Sequence, residues 1–483
     1  MSILEYYPQL SQVVDALKPC KRRVFLVGGA LRDHYLGRQG HDFDFAVDQG
    51  AVVLAKKLAK HIKGAFVLLD REHGSARVVK KWRGEVWTFD LTDWRAASIE
   101  KDLKARDFTI NALAADIFKA HQPLDVLEVK GSRRDLKSGV VRMVSRDAFK
   151  DDPLRLLRAF SLKATLGFKI ERETLGRIKK EAHLITTVAM ERVREEIFKV
   201  LGSSRAHGTL LEMDKVGLLA YVIPQTTVMA GMPQGGYHHL DVWQHSLETV
   251  LQLEKILLDP GREERLRIYL HGSVGGGHAR DALLKMAALL HDSGKPETSR
   301  MEGARTTFHG HEHASERITR LVAKHLKLSL KERFFLEDAV RMHLRPGYLS
   351  NFKRPSEKAI FRYLRDTKEE AASLAVLALA DQAATRGPLT TKSKHQHHAK
   401  ICHMLMERYF DQKEQKPRQR LLTGHDLIKT LKLKPSPAFG KILSGIEEAS
   451  ALGKIKTKSE AVNLARRLAK KYLLPCSSGN NPL

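Results

Sequence analysis

The chain has 483 residues, enough for two to four domains of ordinary size. Lysine and arginine number 83 against 56 aspartates and glutamates, a formal net charge of +27. An excess of this size points to a polyanionic partner, because phosphate contacts release counterions and steer association. No apolar run approaches the roughly 18 residues needed to cross a membrane, so no membrane partner is expected.

In chain order, Val24-Phe25-Leu26-Val27 reads as a buried strand that ends at Gly28-Gly29, followed by a helix over 30–36. Asp42 to Val47 reads as a second strand and 50–63 as a helix. Further strands are expected at 66–69, 76–79 and 86–91, and a helix at 107–117. Residues 1–125 therefore form an α/β unit. From Pro153, at a helix start, helical periodicity dominates to about residue 470. Gly235-Gly236 and Gly272 to Gly277 mark loops, and the basic stretch Lys392 to His398 reads as a join between two helical regions. Cys476 to Leu483 reads as a loose tail. Cys20, Cys402 and Cys476 are far apart and suggest neither a disulfide framework nor zinc spacing. With no signal-peptide pattern at the N-terminus, a cytoplasmic location fits best.

Four stretches carry chemistry. The first is Gly28-Gly29 between a strand and a helix, where backbone N–H groups can approach phosphate; Arg32 in the next turn adds a fork of donors. The second is Asp42-Phe43-Asp44. Period-two geometry puts both carboxylates on one face of a strand, which suits divalent metal as well as it suits a merely solvated strand face. Asp90 offers a third carboxylate on another strand, as metal ligand or base, or as a strand-end residue with no role. The third stretch is Arg106-Asp107-Phe108-Thr109-Ile110-Asn111. The fourth is Asp152-Pro153-Leu154-Arg155-Leu156-Leu157-Arg158, where the polar residues at i, i+3 and i+6 share one helical edge. A carboxylate that accepts from an exocyclic amine and a guanidinium that donates to a ring acceptor would admit cytosine and adenine and reject uracil and guanine. Asp152 before a proline is equally a good helix N-cap.

The strings GGALRD, DFDFAV, RDFTINALA, DDPLRLLRAFSLKATLGF and ERVREE, in that order over 24–200, resemble the class II tRNA nucleotidyltransferase and poly(A) polymerase family of the polymerase β-like superfamily. The resemblance implies an α+β protein: a polymerase β-like head with a mixed sheet, then an all-α neck, body and tail. It implies attack of an RNA 3′-hydroxyl on the α-phosphate of CTP or ATP, with two Mg²⁺ ions and release of pyrophosphate. By position it assigns metal to Asp42 and Asp44 and the triphosphate to Gly28, Gly29 and Arg32. It assigns the nucleotide and its ribose to Arg106, Asp107 and Asn111, and the incoming base to Asp152 and Arg155, with Arg158 one turn later. Three departures stand out. Ala105 replaces the first of two arginines usual before the motif aspartate, Asp151 replaces a glutamate, and the segment from Leu91 to Leu103 is short. Enzymes that build all of CCA usually carry a longer loop there, so addition of only the cytidines or only the adenosine enters as a reading.

A second constellation follows. His245, His291-Asp292 and Asp381 keep the order H…HD…D, which resembles the HD phosphohydrolases; His311 and His343 extend it toward a second metal. Imidazoles and carboxylates from separate helices can hold a divalent metal and acidify a bound water, although 23 histidines make isolated matches cheap. Near the C-terminus, Leu422-Thr423-Gly424-His425-Asp426-Leu427 resembles the tail of HD-bearing transferases. There Lys454, Lys456, Lys458, Arg466, Arg467, Lys470 and Lys471 either follow the backbone of a tRNA elbow or form a solvated helix face. The expected domains are a head at 1–138, a neck at 139–225, an HD domain at 226–395, a tail at 396–475 and the loose end at 476–483. The principal expectation is a tRNA 3′-end nucleotidyltransferase with an accessory hydrolase site. A bacterial poly(A) polymerase, a phosphohydrolase with a degenerate head and a non-catalytic RNA-binding protein are the rivals.

Overall fold

The computed structural model describes residues 3–119, 125–259, 261, 263–303, 305–415, 420–432 and 434–473, so the tail expected at 476–483 lies outside the described residues. The chain divides into two compact units, Met1–Thr226 and Thr227–Leu483.

The first unit is built on a seven-stranded mixed sheet. Its strands are β1 (Val24–Val27), β2 (Asp42–Val47), β3 (Ala65–Asp70), β4 (Ser75–Trp82), β5 (Glu85–Asp93), β6 (Leu113–Asp116) and β7 (Val126–Glu128). They lie in the order β3-β4-β5-β2-β1-β6-β7, with β2 and β5 parallel and the other neighbours antiparallel. Alternation along the strands separates two faces. Phe43, Phe45, Ala76, Val78, Phe89 and Leu91 point to one face and are fully or almost fully buried. The helix Ala51–Ile62 lays Leu54, Ala55, Leu58, Ala59 and Ile62 on the same side. Phe43 stacks on Phe89 and on Trp87, each at 5.7 Å between centroids. Each such buried aromatic contributes about 1.5–3 kcal/mol, and their alternation forces Asp42, Asp44, Thr88 and Asp90 onto the opposite face.

One expectation fails in this unit. Residues 107–117 are not a helix: a 3-10 turn at Thr109–Asn111 leads into β6. The run Ala112-Leu113-Ala114-Ala115 has helical propensity, but it is buried between β1 and β7 and pairs with both. Tertiary pairing overrides a small local preference. Beyond the sheet, the helix Arg155–Leu166 packs on the helix Met190–Leu201, and Gly167 ends the first of these in a left-handed conformation, φ 77°.

The second unit is almost wholly helical. The helix Ala371–Ala384 is buried nearly all round, and its small residues admit the helices Val242–Leu258, Arg280–Leu290 and Lys392–Glu414 close to its axis. The stretch Lys392 to His398 is not a join. Thr391 caps Lys394, and these residues form the first turns of the 23-residue helix Lys392–Glu414. His398, Ile401, Cys402 and Leu405 recur at helical spacing on its buried face, which carries the helix through its polar start. Cys20 and Cys402 are free thiols. The last helices, Gly424–Leu431, Ala438–Ala451 and Lys458–Leu473, share a small core of Leu427, Ile442, Ile446, Ala461 and Ala465. Thr423 and Asp426 form a capping box, and Lys458 pairs with Asp426 at 2.7 Å, so this lysine is engaged inside the protein. No described helix is long and apolar enough to cross a membrane.

Candidate active site and metal centre

Asp44 on β2 stands beside Asp90 on β5, and Asp90 stands beside Arg77 on β4; Asp42 is partnered by Thr88 in the next row. All five side chains lie on the open face of the sheet. Thr88 donates to Asp42. Arg77 holds Asp90 through two parallel bonds, both 2.7 Å. Asp44 takes no hydrogen bond among the described residues. Surrounding protein and then the neighbouring Asp90 raise its carboxyl pKa, although the residue itself is exposed. A carboxylate held next to another carboxylate, and lacking a donor, has the electrostatics of a cation site, and Asp42, Asp44 and Asp90 are the oxygen donors a hard divalent ion takes.

Gly28 follows β1 at the edge of this row. Its φ of 70° and ψ of −126° are open to glycine alone, and a Cβ there would sit 3.3 Å from Nη1 of Arg106 and 3.8 Å from Oδ2 of Asp44. The helix Gly29–Tyr35 starts at the next residue and carries Arg32. Arg32 donates to both oxygens of Asp33 and, at 2.9 Å, to Oδ1 of Asn111. Asn111 donates to Asp107 at 3.2 Å, and Nε of Arg158 donates to Asp107 at 2.6 Å. Three of the sequence stretches thus meet in one chain of hydrogen bonds: Arg32, Asn111, Asp107, Arg158. Burial would raise the Asp107 pKa, but Arg158, the Phe108 N–H and Asn111 outweigh it and hold the group below the usual carboxylate range. Arg106 pairs with Asp102 at 3.1 Å.

The expected base-reading pair is near this network but engaged elsewhere. Arg155 is buried and donates to the carbonyls of Ala105 (2.8 Å), Ala148 (3.2 Å) and Arg106 (3.4 Å). Burial lowers its pKa. Asp152 accepts from the Leu154 N–H at 3.2 Å and from Arg192 at 2.9 Å. It therefore caps the turn before the helix Arg155–Leu166, whose own N-cap is Leu154, and not the helix itself as its position before Pro153 suggests.

In the second unit, His245, His291 and Asp381 converge, and Asp292, His311 and His343 converge beside them, each trio with its ligand atoms within 4.8 Å. The Nδ1 atoms of His291, His311 and His343 face the carbonyls of Ala288, Phe308 and Val340 at 2.9, 2.9 and 2.6 Å. A carbonyl accepts only from a protonated nitrogen, so Nδ1 carries a proton in each ring and the Nε2 atoms are left to face the centre. Those of His291 and His311 are buried without a hydrogen-bond partner, 3.1 and 3.3 Å from oxygens of Asp292. Burial, and then the field of His291, press the His343 pKa down to about 3. Orphaned ring nitrogens facing a carboxylate are what metal ligation requires, and the donor set fits a divalent ion pair.

Sequence reasoning missed several participants. Lys295 bridges Asp292 and Gln234, each at 2.6 Å. It stands three residues after Asp292, one helical turn, which is the signal that could have found it. Arg77, Thr88 and Arg192 reach the carboxylates only through strand pairing or helix packing, and nothing in their local sequence announces it.

Four family models match the chain: the poly A polymerase head domain at 24–142, the probable RNA- and SrmB-binding site of polymerase A at 167–229, the HD domain at 242–385 and the tRNA nucleotidyltransferase domain 2 at 374–465. An A-adding tRNA nucleotidyltransferase of Deinococcus radiodurans is 33% identical, with 94% of this chain and 97% of that protein covered. A CC-adding tRNA nucleotidyltransferase of Thermus thermophilus is 32% identical, over 90% and 92%. Among solved structures, the Thermotoga maritima CCA-adding enzyme complexed with tRNA aligns with a TM-score of 0.60 at 19% identity, covering 96% of this chain and 95% of that one. The expected α+β class with a mixed-sheet head and helical body holds, and the chain belongs to the tRNA nucleotidyltransferase family of enzymes.

Proposed function

We propose that this enzyme extends tRNA 3′ ends without a template, joining CMP or AMP from CTP or ATP and releasing pyrophosphate. The observation that carries the reading is the row of Asp42, Asp44 and Asp90 beside the Gly28 turn. Two Mg²⁺ ions held there would neutralise the triphosphate and acidify the attacking hydroxyl. The chain's own residues do the rest. Gly28 and Gly29 present backbone to phosphate, and Arg32 supplies donors to it. Arg106, Asp107 and Asn111 shape the ribose side. Asp152 and Arg155 would read the base, Arg155 through the N–H groups that its three carbonyl partners leave over, and the donor–acceptor order of their groups selects cytosine or adenine.

We assign one nucleotide type to this enzyme. Asp152 and Arg155 are pinned by Arg192 and by three carbonyls. Only residues 94–98 join β5 to the helix Ile99–Lys104, so no long segment lies there to rebuild the pocket between substrates. The reading takes a head at 1–138, a neck at 139–225, an HD domain at 226–395 and a tail at 396–475 that contacts the tRNA elbow through its lysines and arginines. The helix Lys392–Glu414 crosses the last of these boundaries. The cytoplasm is the compartment the reading implies. The test is a set of tRNAs ending before CCA, after the first C and after CC, each with CTP, ATP or both. Extension by CC alone or by A alone is expected. Complete CCA addition would refute the specialisation, no extension would refute the transferase, and equal tailing of arbitrary RNA with ATP would favour a poly(A) polymerase.

A second activity has its own support in the orphaned Nε2 atoms of His291 and His311. We propose a metal-dependent phosphohydrolase that acts on phosphate at RNA 3′ ends. Hydrolysis of a 2′,3′-cyclic phosphate that survives Asp42→Ala with Asp44→Ala, and is lost in His291→Ala with Asp292→Ala, is the expected pattern.

A further inference from the structure

Arg77 is out of place if metal is all that its neighbours serve. Its guanidinium sits in register with Asp90 and one strand further from Asp44, and it is half-exposed on the open face. A fixed positive charge beside metal carboxylates weakens cation binding by ordinary electrostatics, and here it also occupies both oxygens of Asp90. If Asp90 turns to a cation, Arg77 needs another anion.

Two anionic substrates come to a nucleotidyltransferase, and the sheet separates them. Along the row the order is Arg77 on β4, Asp90 on β5, Asp44 on β2 and Val27 on β1, with Gly28 next after Val27. Strands are spaced about 4.8 Å apart, so Arg77 stands roughly 14 Å across the sheet from the Gly28 turn. The triphosphate belongs at Gly28 and Arg32. The side of the carboxylates that remains is β4 and β3, where Val67, Lys81 and Val86 expose aliphatic and basic side chains on the same face as Arg77.

We propose that Arg77 is a switchable clamp for the growing RNA strand. It pairs with Asp90 before substrates bind, and it passes to the phosphate on the 5′ side of the primer's last nucleotide when Asp90 is drawn to metal. The guanidinium suits both partners, since a carboxylate and a phosphate each accept two parallel N–H bonds. The clamp rests on the transferase reading above. It adds a primer-positioning residue and a direction of approach: nucleotide over β1, RNA over β4.

The experiment uses the full-length protein, Arg77→Met, Arg77→Lys, and a tRNA whose last internucleotide linkage is either natural or a neutral methylphosphonate. With natural tRNA, Arg77→Met should raise the KM for tRNA roughly tenfold and leave the KM for the nucleotide unchanged. The methylphosphonate should cost the wild type the same factor and cost Arg77→Met nothing more. Mn²⁺ titrated without RNA or nucleotide should bind more tightly to Arg77→Met, because Asp90 is released. Penalties that multiply in Arg77→Met, a rise in the nucleotide KM, or unchanged Mn²⁺ binding would each overturn the clamp. If Arg77→Met does not fold, Arg77→Lys decides. It should keep most of the methylphosphonate penalty, and a wild type indifferent to that linkage refutes the clamp outright. Wild-type protein that extends no tRNA with any nucleotide would instead overturn the transferase reading.

Discussion

Gly28 and Gly29 are adjacent, yet substitution by alanine should affect them very differently. Gly28 has φ 70° and ψ −126°, the mirror image of an extended conformation, whereas Gly29 opens a helix and has no left-handed φ. An L side chain held in that region costs about 1–3 kcal/mol. The added Cβ would lie 3.3 Å from the far end of Arg106, which can move, and 3.8 Å from Asp44, an ordinary contact. The cost is therefore backbone strain rather than collision. At about 2 kcal/mol it lowers the melting midpoint of a unit of this size by roughly 4–8 °C. If the turn relaxes to escape the strain, its N–H groups leave the position proposed for the phosphate, and a displacement of about 1 Å costs roughly a hundredfold in rate. At Gly29 the new Cβ would be 3.6 Å from Arg32, in normal contact. Gly29→Ala should keep its midpoint within about 2 °C and its kcat/KM within about threefold, because a helical alanine carries no such strain. Thermal unfolding followed by circular dichroism, with kcat/KM measured for the nucleotide, checks both. Equal losses in the two variants, or full activity in Gly28→Ala, would refute the reasoning.

Other consequences follow from the same geometry. Replacing His291 and Asp292 together by alanine should remove bound divalent metal from the second unit, measured by elemental analysis of the purified protein, and leave tRNA extension within about twofold of wild type. Asp107 is held below the usual carboxylate range in the fold, so its stabilisation is fully present above the unfolded value near 3.9 and is lost as pH falls through the lower folded value. Arg158→Met removes the principal favourable charge, which raises the folded pKa. Acid unfolding of the variant should then begin at higher pH than that of the wild type. An unchanged acid limb would show that the ion pair does not govern it.

Much of the head was readable one strand at a time. Asp42 and Asp44 are two residues apart, and Phe43 and Phe45 alternate with them, so the apolar pair faces inward and the carboxylates outward without any knowledge of neighbours. Gly28 after a four-residue apolar run announced its turn for the same local reason. The segment 107–117 reads as a helix from its own alanines, whereas the character of β6 within it comes from β1 and β7 on either side. The start of the helix Lys392–Glu414 reads as a join because its buried face begins only at His398, after six polar residues.

Order and spacing of motifs were sufficient to name the chemistry, because that chemistry depends on which groups recur at which short separations. Partnership was decided by the tertiary structure. Arg77 meets Asp90 between neighbouring strands, Arg32 meets Asn111 over 79 positions and His245 meets Asp381 over 136. The guanidinium of Arg155 is anchored by carbonyls from two separate segments. Local periodicity sets the direction in which a side chain leaves its strand or helix. What it meets there depends on packing between distant segments, which no short window of sequence contains.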